Sequence, residues 1–351
     1  MSTRIFVNPS GQKDNLGDSV LRRGYLNALR SQGELHVFAG SHAGYVSGLH
    51  LDPQDVVYHS RRSWLLAALG RTGRGGTMAF AMNAGEWVLD GRFLVNSTWQ
   101  TALLLRSRLS GARSAALGIA VRREQSRLGR AYFRSILRLV QTVSWRDPES
   151  RDDLHLGEVA PDWAFALGSA EDHLRPLEVR RSIAVVLRGD RPSPGPTWIA
   201  AVRALADKLE CGIVVVNQMR EDEARCAELA EVLDGEILTW EPGVAHAAQE
   251  ERVRAVYGDC VAVVSDRIHA LILGLTEGAV PVGFTTSDPE KVRRTFAAMT
   301  DLPIAFAESE VNGPDDAHRR ATQLLDERES LLRSLAEARR RLAELSRGLS
   351  L

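Results

Sequence analysis

Residues Cys260–Phe284 read CVAVVSDRIHALILGLTEGAVPVGF. The opening run is apolar and β-branched through Val264, which predicts a strand buried on both faces ending at Ser265 and Asp266. A short apolar run of helix length begins at Arg267, and a second buried strand follows at Val280. Two such strands joined by a helix predict a parallel pair in an α/β sheet. Arg267 and His269 then fall in the first turn of the helix, at the carboxyl edge of the sheet. There the free N–H groups and the positive end of the helix dipole favour an anion.

The same alternation extends over the chain. Strands are expected at Arg4–Val7, Leu35–Ala39, Val56–Tyr58, Met78–Met82, Ala115–Ile119 and Thr142–Trp145, and again at Ile183–Leu187, Ile213–Asn217, Glu236–Trp240, Val261–Ser265 and Val280–Phe284. The polar stretch Gly168–Arg181 separates the two arrays and is expected to be the linker. The reading is α/β, with two Rossmann-like domains facing a cleft: residues 1–170 and 181–312, followed by one long amphipathic helix over 313–351. In open parallel sheets, ligands bind beyond the carboxyl ends of the strands, so residues just after strands carry the most information.

Composition narrows the function. At 351 residues the chain is too long for one comfortable core, and its formal charge of −1 argues against general nucleic-acid binding. Cys211, Cys226 and Cys260 form no CxxC pair and are expected as reduced, buried thiols. No His/Cys/Asp cluster has ligand spacing, so neither a metal nor an organic cofactor is expected. With no signal-like N-terminus and no apolar run near the ~20 residues that span a bilayer, the chain reads as cytoplasmic. Residues 101–140 carry nine arginines against a single acid, Glu124. A solvated helix face and a peripheral contact with anionic lipid at the inner membrane face are two readings of that segment; nucleic acid is a third, with no recognisable binding motif beside it.

Several pieces occur together in order: Asn15-Leu16-Gly17-Asp18, Val143-Ser144-Trp145-Arg146-Asp147 with Ser150, Asp162-Trp163-Ala164-Phe165, Val185-Val186-Leu187-Arg188, and Ser265-Asp266-Arg267-Ile268-His269. With them the chain resembles the polysaccharide pyruvyl transferase family. The resemblance implies a glycosyltransferase B-like architecture, with transfer of pyruvate from phosphoenolpyruvate onto two hydroxyls of a cell-surface sugar as a ketal. It departs from the family's pattern at Met82–Glu86 and Leu117–Ala120, in the half expected to receive the acceptor.

The resemblance also implies roles. Arg188 and Arg267 would grip the donor's carboxylate and phosphate, since guanidinium forks match both groups. His269 would act as general acid, since histidine as a residue type can give and take a proton near neutrality. Ser265 and Asp266 would line the donor pocket, and Asn15 and Gly17 the substrate loop. Asp18 would accept a proton or hydrogen bond from the sugar, although its position also suits a helix N-cap. Asn83 and Glu86 would contact acceptor hydroxyls, the acceptor being free or lipid-linked. Two rivals remain: a glycosyltransferase of the same fold using a nucleotide-sugar donor, and a non-catalytic sugar- or lipid-binding protein.

Overall fold

The computed structural model describes residues 3–70 and 76–351. The first sheet contains β1 (Thr3–Val7), β2 (Glu34–Phe38), β3 (Val56–Tyr58), β4 (Thr77–Met82), β5 (Gly85–Trp87), β6 (Ala115–Val121), β7 (Thr142–Trp145) and β8 (Glu158–Val159). The second contains β9 (Ser182–Val186), β10 (Gly212–Val216), β11 (Glu236–Leu238), β12 (Cys260–Ser265), β13 (Val280–Thr285) and β14 (Ala305–Ala307). Between them run α1 (Leu16–Arg30), α2 (Ala43–Gly48), α3 (Arg61–Leu69), α4 (Phe93–Leu109), α5 (Arg127–Leu137) and α6 (Pro148–Leu154) in the first array. The second array has α7 (Pro196–Lys208), α8 (Glu223–Leu233), α9 (His246–Asp259), α10 (Ile268–Thr276), α11 (Glu290–Phe296), α12 (Pro314–Asp326) and α13 (Arg328–Gly348).

Every strand pairing in both sheets is parallel. The orders are β3-β2-β1-β4-β6-β7-β8, with β5 beside β6, and β11-β10-β9-β12-β13-β14. In each sheet the chain first winds outward on one side, then returns to the other side of the first strand. That reversal falls between β1 and β4 in one sheet and between β9 and β12 in the other. Adjacent carboxyl ends diverge at such a point and leave room for a ligand.

All eleven expected strands are present, while β5, β8 and β14 were not anticipated; each is only two or three residues long, too short for a periodicity to register. The tail is helical, but as two helices rather than one, with Glu327 between them.

The chain divides into two compact units: residues 1–13, 18–163 and 340–351 form one, residues 14–17 and 164–339 the other. The compact units and the expected boundaries differ in three places. The first unit ends at Trp163 rather than residue 170, the loop Asp14–Gly17 packs with the second unit, and the tail is shared. Gly168–Arg181 is part of the second unit rather than a linker. Arg180 is buried there, and its guanidinium donates to the carbonyls of Tyr257, Cys260 and Glu277. A cation held by carbonyls alone loses hydration, and burial lowers its pKa to about 10.

One core cluster fixes the first unit's helical layer. Trp64 and Ala68 of α3, Phe93, Leu103 and Leu104 of α4, and Phe133, Ile136 and Leu137 of α5 pack with Phe6, Phe80, Ile119 and Trp145 of the sheet. Those three helices therefore cover the same face. Cys226 and Cys260 are buried, Cys211 is half-buried, and all three thiols are free. Burial pushes the Cys226 and Cys260 thiols up to about 12, so neither is a nucleophile near neutrality.

Candidate active site

In the second unit, the S-D-R turn is tied to the neighbouring strand end. Ser265 Oγ donates to the Val186 carbonyl at 2.6 Å and accepts from the Arg267 N–H at 2.8 Å. Asp266 Oδ1 accepts from the Arg188 N–H at 2.9 Å. Two short polar side chains thus join the ends of β9 and β12 at the reversal of the sheet. Arg267 occupies the N-cap of α10 and His269 its first turn. The rest of α10 is buried, and at Gly274 an added Cβ would lie 2.4 Å from Val263 Cγ2, so the helix lies close on β12.

The charges here are arranged in pairs. Arg267 Nε donates to Asp222 Oδ2 at 2.5 Å, and Nη2 approaches the same carboxylate and the Met219 sulfur. Asp222 is itself buried and accepts from the Gly189 N–H at 2.7 Å. Arg188 forms a fork on Asp190, at 2.8 and 2.7 Å. That hydrogen bond raises the Arg188 pKa and pulls the Asp190 carboxyl down to about 2. Asp190 is largely exposed, so the pair is weak and open to exchange with a ligand anion.

Asp266 behaves differently. Burial pushes its carboxyl up to about 6, against the opposing pull of the Arg188 N–H and the Arg267 and Arg188 charges. Its Oδ2 is buried with no hydrogen-bond partner among the described residues.

His269 is held from a second direction. At Gly17 an added Cβ would lie 2.3 Å from His269 Nδ1 and 2.5 Å from its Cβ. Only a bare backbone fits against the imidazole. The loop that brings Gly17 there is anchored to the segment after β10. Asn15 bridges Met219, the Leu16 N–H donates to the Gln218 carbonyl at 3.1 Å, and Arg220 pairs with Asp14 at 3.2 Å. Asn15 Oδ1 accepts from the Gly17 N–H at 3.1 Å, the bond expected of a helix N-cap. That role belongs to Asn15 rather than Asp18, which lies inside the first turn of α1.

The structure therefore brings Asn15, Gly17, Arg188, Ser265, Asp266, Arg267 and His269 into one unit. It adds Met219, Arg220 and Asp222, which sequence reasoning missed. Their signal was available: Asn217–Asp222 directly follows β10, the strand next to β9, at the same carboxyl edge.

Asp18, Asn83 and Glu86 belong to the first unit. Asp18 accepts from the Gln12 N–H and the Arg22 guanidinium, both at 2.6 Å. Burial works against the Arg22 charge, but Asp18 outweighs it and the pKa is raised. Asn83 Nδ2 donates to the Ser10 carbonyl at 2.7 Å, spanning the ends of β1 and β4. Glu86 lies in β5 and faces Arg122 at 3.5 Å.

Asn83 and Glu86 line a cavity of about 740 Å³ with Asn8, Trp87, Trp99 and Gln100. The Arg61 guanidinium stacks over Trp99, 4.8 Å from the ring centre. The side-chain carbonyl oxygens of Asn8, Asn83 and Gln100 are buried with no hydrogen-bond partner among the described residues. Among the described residues no three His, Cys, Asp or Glu side chains are grouped to hold a metal ion.

Comparison with solved structures bears on the fold. A structure assigned as a UDP-N-acetylglucosamine 2-epimerase from Listeria monocytogenes matches with a TM-score of 0.57 at 12% identity, over 98% of this chain and 94% of that one. Anabaena HepE, in complex with UDP and glucose, matches with a TM-score of 0.50 at 10% identity, over 99% and 95%. At such identities the likeness is one of fold, that of the glycosyltransferase B type. No match was found among curated proteins. The polysaccharide pyruvyl transferase family model matches residues 15–288, well over half of the chain, from the Asn15 loop past the S-D-R-I-H turn. The chain belongs to the polysaccharide pyruvyl transferase family.

Proposed function

We propose that the protein transfers pyruvate from phosphoenolpyruvate to two hydroxyls of one sugar unit, forming a ketal and releasing phosphate. The observation that carries this reading is His269 in the first turn of α10, two residues after the N-cap Arg267 and packed against the bare backbone of Gly17. A donor with a carboxylate and a phosphate on one small frame needs two guanidinium groups near one proton source.

In this reading Arg188 exchanges exposed Asp190 for a donor anion, while Asp222 holds the Arg267 fork in place. The His269 imidazolium gives its proton to the donor's methylene carbon, and the first sugar hydroxyl adds to C2, losing its proton. The C2–O bond to phosphate then breaks, and the second hydroxyl closes the ring with loss of its proton. The chemistry calls for no metal or organic cofactor, because the enol phosphate is already activated. Asp266, neutral below a pH of about 6, can donate to the donor carboxylate from its unpartnered oxygen.

The acceptor is assigned to the first unit's cavity. Unpartnered acceptor oxygens suit a ligand rich in hydroxyl donors, and indole faces suit the C–H surface of a pyranose. Asp18, already engaged by Arg22 and Gln12, is a positioning group in this scheme. The first unit thus serves the acceptor and the second, which includes the Asp14–Gly17 loop, the donor, and the acceptor is taken to be part of a cell-envelope polysaccharide or glycolipid.

Incubation with phosphoenolpyruvate and a panel of galactosides and mannosides should yield the pyruvylated mass and free phosphate. Product only with nucleotide-sugar donors would replace this reading with glycosyl transfer, and sugar binding without turnover would replace it with a binding role.

A further inference from the structure

Helix α4 carries apolar side chains on its outer side as well as its buried one. Its buried side carries Ser97, Gln100 and Ser107 beside Phe93, Leu103 and Leu104. Its outward stripe reads Val95, Thr98, Ala102, Leu105 and Leu109, spaced three and four apart as a single helix face requires. Val95 is 75% exposed and Leu109 84%. Leu66 and Leu69 on α3 and Leu128 on α5 are also exposed, and these helices lie on the same face of the sheet.

The charge on this layer has one sign. Helices α3, α4 and α5 carry seven arginines and no Asp or Glu. Arg62, Arg108, Arg127 and the α5 C-cap residue Arg138 are exposed and form no ion pair among the described residues. Val95 and Asn96, at the start of the stripe, also line the cavity assigned to the acceptor. No helix among the described residues is long and apolar enough to cross a membrane.

We propose that the outer face of α3–α4–α5 docks on an anionic lipid bilayer. The leucines and Val95 enter the headgroup boundary and the arginines meet lipid phosphates, so that a lipid-linked sugar reaches the cavity along the membrane. Apolar side chains among unpaired arginines fit a surface that is greasy below and negative above. A nucleic acid would leave the leucines in water, and a second copy of this face would oppose arginine to arginine. The docking stands apart from the pyruvyl chemistry; only the delivery of acceptor rests on that reading.

The test is co-sedimentation of the full chain with vesicles of phosphatidylcholine, alone or mixed with phosphatidylglycerol, without donor. Binding to the mixed vesicles only, weakened by salt, is expected. Arg62→Glu with Arg108→Glu should lower partitioning at least tenfold, given about fivefold per arginine. Leu105→Glu with Leu109→Glu should also lower it, with unchanged melting curves and full turnover of a soluble acceptor. Binding to neither vesicle, or binding that both double variants retain, overturns the proposal. So does tighter binding to RNA than to vesicles, or a dimer that Leu109→Glu dissociates in sedimentation velocity. Because vesicle binding needs no turnover, its failure is separable from failure of the ketal assay.

Discussion

The two sheets reverse direction in the same way, yet their carboxyl edges carry different side chains. At β9–β12, the arginines are matched by carboxylates, Arg267 on Asp222 and Arg188 on Asp190, while Asp266 keeps one buried oxygen unpartnered among the described residues. At β1–β4, the edge opens on indole rings and three buried amide oxygens without a partner among the described residues, with Arg61 and Glu86 beside them. A doubly anionic ligand needs cations held in place before it arrives, since an unpaired buried charge costs several kcal/mol. A neutral polyol needs acceptors left unsatisfied, which cost less and are repaired by its hydroxyls. One sheet topology thus presents two different edges, and the residues at strand ends make the difference.

The largest expected effect tests the charged edge. His269→Ala should lower single-turnover pyruvyl transfer ~10²–10⁴-fold while leaving donor affinity and melting temperature near wild type. A stable variant with near-normal turnover would remove His269 from the acid role. Gly17→Ala places a methyl group against the imidazole ring. Overpacking of about 1–3 kcal/mol should appear as a roughly 10- to 100-fold loss of turnover, with the pH profile displaced as His269 moves.

Arg267→Ala should weaken donor binding at least ~tenfold and also cost about 3 kcal/mol in stability, because Asp222 stays buried without its cation. Adding Asp222→Asn should restore much of the stability but none of the donor affinity. Denaturant unfolding and donor titration on both variants separate the two effects. If the single variant is as stable as wild type, the charges at this edge are not coupled as described.

At the β1–β4 edge the sign reverses. Gln100→Leu removes an unpartnered buried oxygen, so it should raise stability by about 1 kcal/mol while raising the acceptor KM roughly tenfold. An unchanged KM would show that the cavity does not hold the sugar.

The smallest effect is a pH dependence. The Asp266 carboxyl, normally near 3.8, is raised to about 6 in the folded chain. Between those values the folded state binds the proton that the unfolded state has released, so this group's stabilisation is complete below about pH 4 and is lost as pH rises through about 6. Asp266→Asn should flatten that part of the stability curve. Identical wild-type and variant slopes from pH 4 to 6 would contradict the buried carboxyl.

Much of the scaffold was legible because it rests on local signals. Continuous β-branched runs such as Val261–Val264 mark strands with two covered faces, and their alternation with helices implies parallel sheets. Arg267 and His269 were legible for the same reason, as they follow such a run directly. The short strands β5, β8 and β14 carry too few residues for any period. The break at Glu327 was hidden because leucines recur at helical spacing on both sides of it.

What sequence alone determined, then, was the order of elements and the residues at strand ends, because hydrophobic period and turn chemistry act over a few neighbours. Which strand ends become adjacent was decided by tertiary structure. Asp222 reaches Arg267 across 45 positions of chain, and Gly17 lies against a histidine some 250 residues later. No local rule encodes either distance. The outer apolar face of α4 has the same origin: its sequence is apolar on more than one side, and packing of α3 and α5 on the shared core chose which side met the sheet.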